Sequence, residues 1–218
     1  MTDQSTSSLE PDETFEVEPP ENEGPVEPEL DPETAARRDA ALAHVRKFGD
    51  PVLRTSARPV GAFDAALRSE IDRMGALMGD ALGVGLAATQ VGVLHRVLVY
   101  RVQQQAPVSA LVNPEVEWRG KETETMEEGC LSLPGVLVDV ERPIYVRVRA
   151  LDEEGDPILI EASGLEARVI QHEVDHLNGV LILDRTSREQ RKEAIRILRE
   201  RAEPGNGSTS AAQEHQAA

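Results

Sequence analysis

The stretch that decides the fold runs Ile170-Gln171-His172-Glu173-Val174-Asp175-His176-Leu177-Asn178-Gly179-Val180-Leu181. On a helix, His172 and His176 are one turn apart on the same face, so their two imidazoles could hold one divalent metal ion. Glu173, beside the first histidine, could handle a proton of water at that metal. We therefore expect a metal-binding helix at the centre of the fold. The alternative is an ordinary amphipathic helix with two surface histidines.

A catalytic metal of this kind usually has three protein ligands and one open position, so a third ligand is needed. A third histidine six residues after His176 would mark one clan of metalloproteases, but that position is Ile182. A downstream glutamate would mark another clan, and Glu193 and Glu200 lie 17 and 24 residues after His176. The remaining candidate is Cys130.

Cys130 is the only cysteine of the chain. A lone cysteine is most often a small buried hydrophobic residue, which is one hypothesis for it. However, Cys130 lies in a segment, residues 129–135, between two predicted strands. The rigid backbone there could hold its thiolate in place. A cysteine and two histidines with an open fourth position form a known catalytic arrangement.

The net charge of −17 is concentrated near the N-terminus. Residues 1–34 hold 12 acids and no Lys or Arg, whereas the other 184 residues hold 28 acids and 23 bases, a net charge of −5. Residues 1–33 are rich in Glu, Pro, Asp and Ser and cannot bury enough apolar surface to fold, so we predict a disordered acidic tail. Residues 204–218 are predicted to be a second disordered tail. The sequence has no basic stripe of the kind that would indicate direct nucleic-acid recognition.

Residues 34–203 are predicted to form one catalytic domain of the α+β class. Apolar residues at three- and four-residue spacing predict a helix from Asp64 to about Leu82. Val-rich segments between residues 96 and 162 predict mixed or antiparallel strands packed around the metal-binding helix. A charged C-terminal helix is predicted over residues 187–202. Nothing in the pattern requires more than a monomer.

The compartment is predicted from what the sequence lacks. With one cysteine, no intramolecular disulfide can form, which fits a reducing compartment. No basic segment followed by an apolar run starts the chain, and no run reaches about 18 apolar residues. We therefore expect a cytoplasmic protein without a membrane segment.

Three segments, in order and spacing, resemble the signature motifs of the peptide deformylases. They are Gly83-Val84-Gly85-Leu86-Ala87-Ala88-Thr89-Gln90, then Glu128-Gly129-Cys130-Leu131-Ser132, then Gln171-His172-Glu173-Val174-Asp175-His176-Leu177. The resemblance covers roughly residues 45–190. It implies that Cys130, His172 and His176 ligate the metal. It further implies that Glu173 is the general acid/base, that Gln90 and the Leu131 N–H face the reacting carbonyl, and that Gly85 and Val84 line the substrate cleft.

The resemblance also implies a reaction, the removal of the formyl group from the N-terminal formyl-methionine of nascent polypeptides. The implied cofactor is Fe(II), with Zn, Ni or Co as substitutes. Transient ribosome contact through residues 187–202 is one hypothesis, and a solvated helix face is the other. Two rival functions remain open: a zinc metallopeptidase with a downstream glutamate ligand, and a structural metal site in a ribosome-binding module.

The methionine side chain of such a substrate needs an apolar pocket. Val84, Met126, Leu165 and Val169 are candidate walls, although each could instead belong to the core. One departure from the motifs follows Pro134, where Gly135-Val136-Leu137 replaces the charged Glu-x-Arg stretch of many family members. We expect this difference to affect the substrate rim.

Overall fold

A computed structural model describes residues 30–202. The helices are α1 Pro32–Leu42, α2 Ala65–Asp80, α3 Gly164–Leu177 and α4 Arg188–Ala202, and the strands are β1 Gly85–Ala87, β2 Val97–Tyr100, β3 Ser109–Arg119, β4 Thr123–Cys130, β5 Leu133–Pro143, β6 Tyr145–Leu151 and β7 Pro157–Ser163. Short 3-10 turns lie at Pro51–Arg54, Ala88–Val91 and Ile182–Asp184. The fold is α+β, as predicted.

The strands form two antiparallel units. A five-stranded sheet has the order β1-β2-β3-β6-β7, and β4 and β5 form a separate hairpin. Only Leu131 and Ser132 separate β4 from β5, so the predicted interruption over residues 129–135 is wrong. The chain reverses in two residues because Cys130 already pairs with Leu133. Cys130 therefore lies at the tip of a hairpin rather than in a loop.

The α3 helix, which carries His172 and His176, is enclosed by these strands, as predicted. It packs against β1, β2 and β7, and nearly every residue from Ala167 to Leu177 is buried. A helix buried on all sides needs partners for its polar groups, and the Gln171 amide, for example, donates to the carbonyls of Pro143 and Ala167. The sequence shows an amphipathic pattern here, but the tertiary structure covers both faces.

The remaining helices lie on the outside of the fold. The helix expected over residues 64–82 is confirmed as α2, which Asp64 caps by accepting hydrogen bonds from Ala66 and Leu67. The α4 helix packs against β5, and its buried Leu198 joins the apolar cluster there. Within residues 30–202, no helix is both long enough and apolar enough to cross a membrane.

The chain ends predicted to be disordered lie almost wholly outside the described residues. Residues 1–29 and 203–218 are not described. At the inner edge of the predicted acidic tail, Asp31 caps α1 and Pro32 occupies its first turn. The first helix thus begins two residues before residue 34, inside the segment predicted to be a tail.

Candidate metal centre

The α3 helix carries both histidines on one face. The centroids of the two imidazole rings lie 5.0 Å apart in an edge-to-face arrangement. His172 is directed by Glu128, whose Oε2 lies 3.0 Å from its Nδ1. Since an ionised carboxylate can only accept, Nδ1 carries the proton and Nε2 is left free to bind a metal.

Cys130 reaches the same point from the tip of the β4–β5 hairpin. Its Sγ lies 3.1 Å from Nε2 of His176, and the ligand atoms of Cys130, His172 and His176 all lie within 4.8 Å of one another. Among residues 30–202, no other three His, Cys or acidic side chains are grouped in this way. The structure therefore brings together the three residues that the motifs proposed as ligands.

The two glutamates considered as alternative ligands lie elsewhere. Glu193 and Glu200 are on the exposed face of α4, where both pair with Arg196. Neither belongs to the group formed by the histidines. The geometry thus gives no support to the arrangement of a metallopeptidase with a glutamate ligand.

The thiol at this site ionises readily. Burial alone would raise the pKa of Cys130, but the neighbouring His176 and His172 hold it well below its usual value. Two weak donors also face the sulfur, the Ser132 N–H at 3.4 Å and the Gln90 Nε2 at 3.6 Å. Since a metal binds thiolate rather than thiol, Cys130 is prepared for ligation.

Glu173 is buried beside the histidines. Its Oε2 has no hydrogen-bond partner among the described residues, and burial raises the pKa of the carboxyl. The other oxygen, Oε1, lies against the backbone of Gly85, and a Cβ at that position would approach the Glu173 Cδ to 2.9 Å. Gly85 is therefore required for close approach, because any larger residue would displace the carboxylate.

Gln90 and Leu131 flank the sulfur from two different elements. The Gln90 Oε1 accepts from the Ala87 N–H at 2.8 Å, so the amide is oriented with Nε2 towards Cys130 and 3.4 Å from the Ser132 Oγ. The Leu131 N–H, at the hairpin tip, makes no hydrogen bond within the part of the chain that is described. Both predicted donors thus lie at the edge of the same site.

A buried ionic network behind the histidines was missed by the sequence analysis. The Arg142 guanidinium donates to both oxygens of Glu128, at 2.6 and 2.9 Å, and to Asp175 at 2.9 Å. Arg168 donates to Glu128 at 2.7 Å. Burial opposes ionisation of Glu128, but Arg142 and His172 lower its pKa to about 2.

A signal for this network was present in the sequence. Val136, Val138 and Val140 alternate along β5 and face inward, and Arg142 occupies the next inward position. A charge in that register predicts a buried partner, because an unpaired buried guanidinium would be very costly. Glu128 is that partner.

The candidate walls of the methionine pocket divide into two groups. Val84, Met126 and Leu165 are 47%, 42% and 52% exposed, so these three do not belong to the core. Val169 is only 5% exposed and packs in the central apolar cluster with Val146. Gly135, at the departure from the motifs, lies against the Arg201 guanidinium of α4.

Side chains arranged in this way, on a helix enclosed by antiparallel strands, are typical of metal-dependent hydrolases. The sequence model described as polypeptide deformylase matches residues 42–192. The chain belongs to the peptide deformylase family and is an enzyme of that family.

Relatives of known sequence and structure support the assignment to the peptide deformylase family. The chain is 48% identical over 160 residues to peptide deformylase of Acidothermus cellulolyticus, covering 73% of this chain and 87% of the relative. It is 46% identical to peptide deformylase 1 of Corynebacterium glutamicum, covering 73% and 95%. Among solved structures, peptide deformylase of Synechococcus elongatus in complex with actinonin gives a TM-score of 0.68 at 45% identity, covering 70% and 85%. That of Thermotoga maritima gives 0.64 at 48%, covering 66% and 96%.

Proposed function

We propose that the protein hydrolyses the formyl amide at the N-terminal formyl-methionine of nascent polypeptides, releasing formate. The observation that carries this proposal is the meeting of Cys130, His172 and His176 beside the buried Glu173, in a chain of the deformylase family. With three protein ligands, a four-coordinate metal would keep one position for water or substrate, as a catalytic rather than a structural site requires.

The donor set fits a divalent transition metal, and we infer Fe(II), with Zn, Ni or Co as substitutes. One soft thiolate and two imidazole nitrogens are compatible with each of these ions. The Glu128 carboxylate supports this assignment because it fixes the tautomer of His172. Bound there, the ion would lower the pKa of a coordinated water from about 15.7 towards about 7 and polarise the formyl oxygen.

Glu173 is proposed as the general base and then the general acid. Its unpartnered Oε2 is available to accept the proton of the water that attacks the formyl carbon. The same oxygen then protonates the departing amine of methionine as the C–N bond breaks. Burial, which raises the pKa of Glu173, makes it a better proton acceptor than an exposed glutamate.

Two hydrogen-bond donors are proposed to stabilise the tetrahedral oxyanion. The Gln90 Nε2 and the Leu131 N–H lie on elements that meet at Cys130. Both are held in place before substrate arrives, so little reorganisation is needed in the transition state. Loss of one such donor typically lowers the rate about 100- to 1,000-fold.

The substrate backbone is proposed to lie along Gly85 and Val84, at the start of β1. The exposed apolar side chains of Val84, Met126 and Leu165 are proposed walls of the methionine pocket, since their exposure leaves them free to contact a ligand. Actinonin, bound in the Synechococcus elongatus relative, is expected to bind at the same place.

The cellular setting is also a proposal. We infer a cytoplasmic monomer that meets nascent chains as they emerge, because its substrate is newly synthesised protein. The α4 helix mixes Arg and Lys with Glu, and its Arg196 is paired with Glu193 and Glu200. Any ribosome contact through this helix is therefore expected to be transient and sensitive to salt.

The direct test is formate release from formyl-Met-Ala-Ser by the full-length protein loaded with iron under anaerobic conditions. We expect catalytic formate release that metal chelation abolishes. The acetylated peptide acetyl-Met-Ala-Ser serves as a control for general amide hydrolysis. Absence of formate from protein shown to contain iron would contradict the proposed function. Cleavage of the Met–Ala bond would favour the metallopeptidase hypothesis instead.

A further inference from the structure

Three consecutive residues outside the motifs join the two parts of the site. In the clamp segment, Arg46-Lys47-Phe48, the Arg46 N–H donates to the Gln90 carbonyl at 2.7 Å, and the Phe48 N–H donates to the Ser132 carbonyl at 2.9 Å. Between them, Lys47 Nζ donates to the Leu131 carbonyl at 3.1 Å. The segment is therefore bonded both to the turn that carries Gln90 and to the hairpin tip that carries Leu131.

The clamp segment is itself held in a fixed position. The Asp50 N–H donates to the Lys47 carbonyl, which closes a turn in which Gly49 has a φ of +105°. That conformation favours glycine. On either side, Val45 is buried and Phe48 packs against the apolar cluster that includes Leu133. The Lys47 side chain is thus presented from a rigid turn.

Lys47 acts on one particular peptide group. Its ammonium binds the carbonyl of the Leu131–Ser132 peptide, and the N–H of that same peptide faces the Cys130 Sγ at 3.4 Å. The peptide plane is therefore held at both ends. The Leu131 N–H belongs to the preceding peptide, which is joined to this plane through the φ and ψ rotations at Leu131, so holding this plane restricts the direction of that donor.

The position is unusual for a lysine. The side chain is half-buried, and burial lowers the pKa of the ammonium, while the Cys130 thiolate opposes that shift. A lysine ammonium is normally solvated, so partial burial with one carbonyl partner among residues 30–202 costs free energy and indicates a role for the contact. The chain has two other lysines, Lys121 and Lys192, and both are exposed.

We propose that Lys47 is a positioning residue of the active site. Through the Leu131 carbonyl it orients the Leu131 N–H towards the oxyanion and strengthens the Ser132 N–H contact with the Cys130 thiolate. This inference rests on the proposed function for its catalytic part, whereas its effect on the thiolate is independent of turnover. Polarising the carbonyl of a peptide makes the N–H of that peptide a stronger donor.

The test compares three variants of the full-length protein, each loaded with Co(II). Lys47→Met removes the ammonium and keeps an apolar side chain, Lys47→Arg keeps a cationic donor, and Lys121→Met is the matched control. We measure kcat and KM with formyl-Met-Ala-Ser, bound cobalt, thermal midpoint, and the thiolate-to-Co(II) absorption band. The absorption band needs no substrate.

We expect Lys47→Met to lower kcat about tenfold, the effect of one charge-assisted hydrogen bond, with KM changed less than about twofold. Its absorption band should shift, while cobalt content and thermal midpoint match those of Lys121→Met. Lys47→Arg should restore most of the rate and the position of the band.

Two results would overturn the inference. One is a Lys47→Met variant whose kcat and absorption band both equal those of the control. The other is a loss of rate that follows loss of cobalt or of thermal stability and that arginine does not rescue, which indicates a merely structural role. If the unmodified protein releases no formate, the proposed function fails, but a shifted band in Lys47→Met would still support the positioning of the thiolate contact.

Discussion

At the scale of single residues, the chemistry of the candidate metal centre depends on how burial and neighbouring charges change the ionisation of two side chains. Cys130 lies between two imidazoles that favour its thiolate, and Glu173 lies in an environment that makes it a stronger base. Neither property is intrinsic to the amino acid. Each arises because burial and neighbouring charges change the relative free energies of the two protonation states.

Replacing the thiol tests its assignment as a ligand. We expect Cys130→Ala to lose bound metal and activity, because only two nitrogen ligands remain for the ion. Metal content of the purified protein, measured by atomic absorption, checks this directly. Full metal retention in Cys130→Ala would contradict the ligand set and would favour a glutamate ligand on α4.

Glu173→Gln tests the proton transfer separately from metal binding. Glutamine has the same shape but cannot accept the proton, so we expect kcat to fall about 100- to 10,000-fold with iron content and folding retained. Glu127→Gln, on an exposed residue of β4, is the matched control. A Glu173→Gln variant that keeps its turnover would rule out the general-base role.

Gly85 offers a test that leaves every chemical group in place. A methyl group there would collide with the Glu173 carboxylate, so we expect Gly85→Ala to displace the base and lower kcat about 100-fold. Gly61→Ala is the control, because nothing lies within 4 Å of its added Cβ. Equal kcat values for the two variants would show that the carboxylate position is not critical.

At the scale of secondary-structure elements, the site is built where α3 meets the β4–β5 hairpin. The hairpin brings Cys130 to the histidines, and the buried pair of Glu128 and Arg142 ties its two strands together and to Asp175 of α3. The same Glu128 orients His172. Packing of the elements and orientation of a ligand therefore depend on one ionic network.

Removing the central cation of this network should be costly. Arg142→Met removes two hydrogen bonds from the buried Glu128 and one from Asp175, which keep only Arg168 and Arg185 as guanidinium partners. Breaking a buried pair of this kind typically costs about 3–5 kcal/mol of unfolding free energy. The control is Arg147→Met on β6, whose guanidinium pairs with Glu161 of the neighbouring strand β7 on the exposed face of the sheet, where a pair contributes about 1 kcal/mol or less. Denaturant unfolding of both metal-free variants at pH 7 measures the difference. Similar losses would refute the central role of Arg142.

At the scale of the whole molecule, the segment that matches the peptide deformylase family occupies only part of the chain. The match to the Acidothermus cellulolyticus relative covers 87% of that protein but 73% of this one, and the family model ends at residue 192. The additional sequence includes the acidic N-terminal residues, which account for most of the net charge. All the residues proposed to act in the site, including the positioning residue Lys47, lie between residues 47 and 176.

We therefore expect a variant that lacks residues 1–29 and 203–218 to keep its kcat and KM for formyl-Met-Ala-Ser within about twofold. The removed segments lie outside the matched residues 42–192, which contain every residue proposed for the site, so we expect neither the chemistry nor peptide binding to change. Steady-state kinetics of the truncated and full-length proteins, matched for iron content, check this. A larger loss of kcat would assign a catalytic role to one of the removed segments.

The sequence alone was sufficient for what depends on local spacing. The i and i+4 positions of His172 and His176, the Val-rich segments between residues 96 and 162 and the three motifs identify the helix, the fold class and the family. It was not sufficient for what depends on contacts between distant residues. Arg142 meeting Glu128, the carboxylate of Glu173 lying against Gly85, and Lys47 reaching a carbonyl 84 residues away are decided by packing. Helix and strand periodicity fixes which face a side chain occupies, whereas only the assembled core determines which groups from other elements meet it there.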